Sequence, residues 1–348
     1  MEVVQFLGMS IKRGKRAGVP AGRSRTSGAA GVSIYSVAHQ AGVSIVTVSR
    51  VFNDYPHVSP AMRERVLTAA RQVGYQPRLV SKRNLLAVLV GGLEYLVAGD
   101  HSSRLMLALV RAAAAREYLI EFMPVSAAER ATKHLVNGLI AVGLSGKELA
   151  ALEDLPPVPK VSINNRDVDV RWSVAYVDPV AEVKLAVDHL AERGHRRIAL
   201  VHDTSQGWYS DQREKSFFAA VQACGMEGHH LLYSAQRPMP KELTRKVGNT
   251  GCTASICLCS QGGLPFMGGL QNELNLRIPE DMSLITAEDD RICPYLKPRL
   301  TTMAQPMDQL AVAAVDGLIQ QESAANPKRF ITVLNSRLIK RDSVRCLN

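Results

Sequence analysis

The sequence has no apolar run near the roughly 18 residues that a membrane span requires; the longest candidate, residues 85–93, is stopped by Glu94. Its six cysteines, Cys224, Cys252, Cys257, Cys259, Cys293 and Cys346, form no CxxC pair and stand at no metal-finger spacing from a histidine. Reduced thiols are expected. Cys257 and Cys259 alternate within an apolar run and read as small packed side chains on one strand face. GxGxxG, P-loop, HExxH and nucleophile-elbow patterns are also missing, and the glycine pairs Gly262-Gly263 and Gly268-Gly269 lack phosphate-loop spacing. These absences give no support to an enzyme, and no catalytic residue, cofactor or metal is expected. Residues 1–11 are mildly apolar but precede the basic cluster Lys12, Arg13, Lys15, Arg16, the reverse of a signal-peptide order. A cytoplasmic location is therefore expected.

Acidic residues are scarce in one region only. Residues 1–84 hold 13 Lys and Arg against Glu2, Asp54 and Glu64, a balance of +10 that equals the formal charge of the whole chain. The remaining 264 residues are neutral, with 29 basic and 29 acidic side chains. A basic head on a neutral body predicts a polyanion-binding module joined to something else. At 348 residues the chain is long enough for two or three units with their own cores. Residues 1–32 lack periodicity and are rich in Gly, Ser, Ala and Arg, which predicts a disordered basic extension. Two readings of it stand: an arm that adds phosphate contacts, or an inert tail.

Three short helices are predicted next. Ser33 can cap a helix over residues 34–41, whose Ile34, Val37, Ala38 and Ala41 share one face, and Gly42 ends it. Ser44 is a good cap for a helix over residues 45–52, with Val48, Val51 and Phe52 inward. Ser59-Pro60 opens a third, to about Val73 and Gly74, with Val66, Leu67, Ala70 and Val73 as its stripe. Two helices across a tight glycine turn, braced by a third, make a helix-turn-helix. The second helix then turns outward Ile45, Val46, Thr47, Ser49, Arg50 and Asn53, a face suited to bases and phosphates.

Past residue 85 apolar strand-like runs alternate with amphipathic helices. Strands are predicted at 86–90, 119–123, 138–142 and 160–163, with helices at 103–116 and 147–152. A second series places strands at 175–177, 198–202, 256–259 and 284–286, and helices near 181–193, 212–223 and 266–275. Such repetition predicts α/β architecture with parallel sheets covered on both faces, divided into two lobes.

The stretch from Ser33 to Asn53, with His57-Val-Ser and Arg63-Glu-Arg-Val after it, resembles the DNA-binding head of the lactose/galactose repressor (LacI/GalR) family. Further matches are His189-Leu-Ala-Glu-Arg-Gly-His-Arg-Arg-Ile-Ala-Leu, Ile278-Pro-Glu-Asp-Met-Ser-Leu-Ile, Tyr295-Leu-Lys-Pro-Arg-Leu-Thr-Thr and Leu338-Ile-Lys-Arg-Asp-Ser. The resemblance implies a small all-α head on residues 33–77, a linker at 78–85, and a sensor of two Rossmann-like lobes of periplasmic-binding-protein type on 86–344, with a tail at 345–348. It implies a transcriptional repressor, a homodimer on double-stranded operator DNA, and a small sugar-like effector between the lobes. A solute-binding protein would share the sensor, but the basic head and the missing signal order argue against transport.

Carried over by position, the family pattern makes Ile45, Val46 and Arg50 the base readers, and Tyr35, Thr47, Ser49, Asn53 and His57 the phosphate contacts. Two departures stand out. The linker between Pro77 and the first strand is shorter than is usual, and Asn84 stands about where the family has a leucine that wedges into the minor groove. Leu79 or Leu85 is left to substitute, while Arg78, Lys82 and Arg83 favour phosphate contact. In the sensor Arg213 is a donor to an effector hydroxyl or carboxylate. The family's Asn-Asp becomes Cys259-Ser260, and its Gly-Phe-Asp-Asp becomes Thr286-Ala-Glu-Asp-Asp290. Ser260 and either Glu288 or Asp289 complete the expected effector set. No heptad tail follows the last motif, so a coiled-coil tetramer is not expected.

Overall fold

The computed structural model describes residues 33–52, 55, 57–75, 84–91, 101–129, 136–155, 158–167, 171–203, 207–233, 241–259, 263–287, 291–324 and 326–347. The chain forms two units, residues 1–81 and 82–348. Expectations for residues 1–32, Asn53, Arg78, Leu79, Lys82, Arg83, Ser260, Glu288 and Asp289 lie outside the described residues.

The first unit holds helices α1 (Ile34–Ala41), α2 (Ile45–Phe52) and α3 (Pro60–Val73), at the positions the caps predict. The Ser44 hydroxyl accepts from the Thr47 amide at 3.1 Å and so starts α2, and Ser59 does the same for Met62 at 3.3 Å ahead of α3. Gly42 adopts φ +60°, a left-handed turn costly to any side chain, and it receives the chain between α1 and α2. Val37, Ala38, Ala41, Val48, Val51, Val66, Ala69 and Ala70 close one buried core. Each buried valine contributes on the order of 1.5–3 kcal/mol by leaving water.

The second unit contains two six-stranded sheets of the same design. In the first, strands β1 (Leu85–Val90), β2 (Leu119–Pro124), β3 (Gly138–Val142), β4 (Lys160–Ile163) and β5 (Ser173–Val177) are joined by β11 (Ile331–Leu334) in the order β11-β5-β4-β3-β1-β2. Helices α4 (His101–Ala114) and α5 (Gly146–Ala151) connect them. All pairings within it are parallel. Alternate residues of β1 enter different cores: Leu86, Val88 and Val90 enter one, Ala87 and Leu89 the other. Strands buried on both faces in this way read as continuous apolar runs, which is why β1 and β3 were legible.

Helix α6 (Pro179–Glu192) then begins the second lobe. It is followed by β6 (Arg197–Asp203), α7 (Trp208–Ala223), β7 (Glu227–Tyr233), α8 (Lys241–Asn249), β8 (Ala254–Cys257), α9 (Gly263–Glu273), β9 (Ser283–Ala287) and β10 (Thr301–Ala304). With β12 (Arg337–Ile339) these strands give the order β12-β10-β9-β8-β6-β7, in which only β12 runs antiparallel. Helix α10 (Met307–Ser323) returns to the first lobe and packs into its core through Leu310, Ala311, Ala314, Val315 and Leu318.

One expectation is corrected here. Residues 175–177, assigned to the second series, belong to β5 of the first sheet, because the chain changes lobe only after Val177. The chain passes between lobes at three places: Asp178, Gln305-Pro306 and Asn335-Ser336. At the other end, Arg345 and Leu347, placed in a tail from sequence, hydrogen-bond to Ser283 Oγ at 3.1 Å and to the Arg193 carbonyl at 2.7 Å. Cys257 and Cys259 share one core, as expected, although the strand itself ends at Cys257.

Candidate nucleic-acid interface and effector site

Helix α2 is inserted into the head core by Val48 and Val51, which are 0% and 3% exposed. The same helix leaves Ile45 39% and Val46 59% exposed, although both are aliphatic. Burial on one face and exposed aliphatics on the other fit a helix whose second face meets a partner. Arg50 is exposed on that side, and its guanidinium carbon lies 5.7 Å from the centre of the Tyr55 ring. Tyr55 in turn meets His57 edge-on at 6.3 Å. Tyr55 was not singled out from sequence; it restricts the reach of Arg50, which a plain solvated arginine would not need.

The remaining head positions surround this face. Tyr35 is 68% exposed. Thr47 is half-buried with its hydroxyl 2.9 Å from that of Ser44, Ser49 is half-buried, and His57 is exposed. Arg63 is a second residue that sequence reasoning used only as part of a motif. Its Nη1 donates to the Val51 carbonyl at 3.4 Å and its Nη2 to that of Tyr55 at 3.5 Å. The cation on the Val51 carbonyl complements the dipole in the last turn of α2, and the bond to Tyr55 ties the residues after α2 to α3.

In the sensor both sheets reverse strand order between their first and third strands, β1 and β3 or β6 and β8. Ligands of open α/β sheets sit outside the carboxyl ends of strands at such points. At the first, Gly91 donates to the Val142 carbonyl at 2.9 Å, and a Cβ there would stand 2.3 Å from the Gly143 carbonyl oxygen. At the second lies Arg213, whose Nη1 donates to the Leu258 carbonyl at 3.0 Å just past β8.

Arg213 is also the hub of a buried network. Its Nε and Nη2 donate to Glu182 Oε2 at 3.0 and 2.7 Å, and its guanidinium carbon is 4.7 Å from the centre of the Tyr209 ring. Glu182, 1% exposed, receives at Oε1 the Gln305 side-chain amide at 2.9 Å and the Ser336 hydroxyl at 2.8 Å. Tyr209 donates its hydroxyl to Oε2 at 3.4 Å and accepts from Gln305 at 3.0 Å. One carboxylate therefore joins all three interlobe passages: Glu182 follows Asp178 in the first turn of α6, and Gln305 and Ser336 belong to the other two. Burial by itself pushes the Glu182 carboxyl upward. The Arg213 charge and the hydrogen bonds from Gln305, Arg213 and Ser336 outweigh it, so this carboxyl titrates below its ordinary range. Sequence reasoning found Arg213 and missed Glu182, whose place on a helix gave no motif.

Aromatic rings flank this network. Tyr176 of β5 meets Trp208 of α7 edge-on at 5.1 Å, and Arg166 donates to the Tyr176 hydroxyl at 3.2 Å. Among the described residues, Gln305 Oε1 and Thr286 Oγ1 are buried polar atoms that meet no hydrogen-bond partner. Rings with a few convergent polar groups are the usual lining of a small-molecule site.

The description "bacterial regulatory proteins, lacI family" matches residues 30–78, and "periplasmic binding protein-like domain" matches residues 187–344. The chain is 26% identical over 332 residues to the HTH-type transcriptional regulator GalR of Salmonella typhimurium, covering 90% of this chain and 96% of that protein. It is 25% identical over 338 residues to the HTH-type transcriptional repressor CytR of Escherichia coli, covering 89% of this chain and 96% of that protein. Among solved structures, the lac repressor dimer bound to operator and the anti-inducer ONPF superposes with a TM-score of 0.74 at 25% identity, over 90% of this chain and 99% of that one. A CelR–cellobiose complex shares the fold at a TM-score of 0.66 and 23% identity, over 90% of this chain and 99% of that one. Among the described residues no helix is long and apolar enough to cross a membrane.

Proposed function

We propose, from the match of residues 30–78 to the lacI family of bacterial regulatory proteins, that the chain is a cytoplasmic homodimeric repressor that reads a pseudo-palindromic operator through α2 and responds to a neutral, hydroxyl-rich effector. The observation that carries this reading is the exposed Ile45, Val46 and Arg50 face on a helix whose opposite face is locked into the head core. Arg50 supplies a fork for guanine O6 and N7, Ile45 and Val46 supply apolar contact to a thymine methyl, and Tyr35, Thr47, Ser49, Asn53 and His57 hold phosphates. Arg78, Lys82 and Arg83 are assigned to phosphates beside the head, and Leu79 or Leu85 to the minor groove.

In the sensor, Arg213 meets the effector together with Ser260 and either Glu288 or Asp289. Its pairing with Glu182 at 2.7 Å already neutralises the guanidinium. An effector carboxylate or phosphate would have to compete with that partner, whereas a hydroxyl can accept a hydrogen bond without displacing it. A sugar therefore fits this site better than a sugar acid or sugar phosphate. The solved relatives bound to cellobiose and to ribose agree with that class.

Selection from random duplex DNA with the full chain tests the DNA half of the reading. The expected product is a symmetric site with half-sites on the order of 34 Å apart. Affinity for it should fall by about 10³–10⁵ between 50 and 200 mM salt if six to ten phosphates are contacted. Asymmetric sites, or binding indifferent to salt, would contradict it.

A further inference from the structure

We infer that His202 and His230, with Glu214 supporting His230, form a binding site for a divalent transition metal ion of the zinc class, on the face of the second sheet that α7 covers. The strand register creates it. β6 and β7 pair in parallel with Leu200 opposite His230 and His202 opposite Leu232, so both histidines stand on the face that carries Ile198 and Leu200. Helix α7 covers this face and brings Ser210 and Glu214, one turn apart, over the two rings. One ligand atom from each of His202, Glu214 and His230 lies within 4.8 Å of the other two.

The orientation of the rings is more informative than their proximity. His202 and His230 face each other Nε2 to Nε2 at 2.6 Å, with ring planes 22° apart. Two neutral lone pairs cannot remain at that distance; a proton or a cation must stand between them. At the far side of each ring a separate oxygen serves the other nitrogen. Ser210 Oγ lies 2.9 Å from His202 Nδ1, and Glu214 Oε1 lies 3.4 Å from His230 Nδ1. An imidazole that gives its distal N–H to a hydroxyl or carboxylate presents the opposite nitrogen as an unprotonated ligand, the usual support of a metal-bound histidine.

Tetrahedral zinc with bonds of about 2.0–2.1 Å to nitrogen sets its ligand nitrogens roughly 3.3 Å apart, so admitting the ion requires the pair to open by less than about 1 Å. The room lies on the His230 side. His202 is held at 1% exposure, while the side chains of His230 and Glu214 are 14% and 43% exposed and give water and ion a way in. Two imidazoles completed by water, with Glu214 orienting His230 from behind and no thiolate, select the zinc, nickel or copper class over magnesium or calcium. An ion there would fasten α7, the helix that carries Arg213, to β6 and β7.

Zinc titrated into the metal-free full chain should bind at one equivalent and raise its melting temperature. His230→Gln should weaken binding at least about 100-fold, and Glu214→Gln about 10–100-fold. Cys224→Ser, Cys346→Ser and His229→Gln should leave it unchanged. Cobalt in place of zinc should show ligand-field bands without thiolate charge transfer. Melting of each metal-free variant separates lost affinity from lost fold, and Glu214→Gln, altered at an exposed carboxylate, provides the second reading. No zinc uptake at millimolar ion, parental affinity in His230→Gln and Glu214→Gln, or a thiolate band from cobalt would overturn the site.

Discussion

Replacing Glu182 by alanine is expected to destabilise the sensor by about 3–5 kcal/mol, the loss that follows when one member of a buried ion pair is removed. The size follows from what Glu182 leaves behind. Arg213, with a side chain only 12% exposed, loses its counter-charge, and Gln305 and Ser336 lose their acceptor. Glu182→Gln should cost less, because an amide oxygen still accepts from Gln305 and Ser336, although its NH2 then faces the donors of Arg213 and Tyr209 that Oε2 had accepted. Urea unfolding of the full chain, followed at the sensor transition, reads both variants. A loss within about 0.5 kcal/mol for Glu182→Ala, as for a surface change, would contradict the network.

Acid should reproduce part of that effect, and its sign follows from the direction of each shift. Glu182 has its carboxyl lowered in the fold, so its contribution is full above the unfolded value and is lost as pH falls through the folded one. His189 and His195 act in the same direction. Burial, with the nearby Arg193 charge and others, pushes both down to about 4, so each stays neutral in the fold while the unfolded chain takes a proton below about pH 6.5. Stability should therefore decline from about pH 6.5 toward 4, before Glu182 itself titrates.

Arg50→Ala is expected to cost about 1–3 kcal/mol of discrimination at one base pair in each half-site, or roughly five- to 150-fold there. Affinity for unrelated DNA should fall far less, because the phosphate contacts of the other head residues remain. Arg50→Lys should fail to restore the preference, since an ammonium offers no planar fork and stacks less well over Tyr55. Tyr55→Ala should weaken the same preference by a smaller factor through the freed arginine. Selection profiles of the variants compare directly with that of the parent chain. An unchanged profile for Arg50→Ala would remove this residue from base reading.

The head was legible in the sequence because its signals are local. Ser33, Gly42, Ser44 and Ser59-Pro60 each mark a boundary within a residue or two of where the helix begins or ends. The sheets were legible where strands are buried on both sides, as in β1 and β3, and at the edge strand β2, but not at the edge strands β7 and β11. β7 carries His229 and His230 among its apolar residues, and β11 is half exposed, so neither gave an apolar run. Helix α10 did carry a usable signal: Ala311, Ala314, Val315 and Leu318 recur at helical spacing and are all buried. The sensor chemistry was mostly hidden. Glu182, Gln305 and Ser336 are separated by more than 100 residues overall and meet only because the chain passes between lobes three times. His202 and His230 likewise depend on strand register.

Control of a DNA-binding head by a neutral effector in the sensor is tested most directly by one titration. Saccharides that raise the melting temperature of the full chain would be added to its selected operator, and binding measured by fluorescence anisotropy. A ligand at 100 times its dissociation constant stabilises by about 2.7 kcal/mol, which makes the first screen sensitive. At least one neutral sugar is expected to change operator affinity by about 5–150-fold, the range of ordinary coupling energies, while its phosphate ester does not. Operator affinity indifferent to every sugar that binds, or responsive only to the phosphate ester, would contradict it.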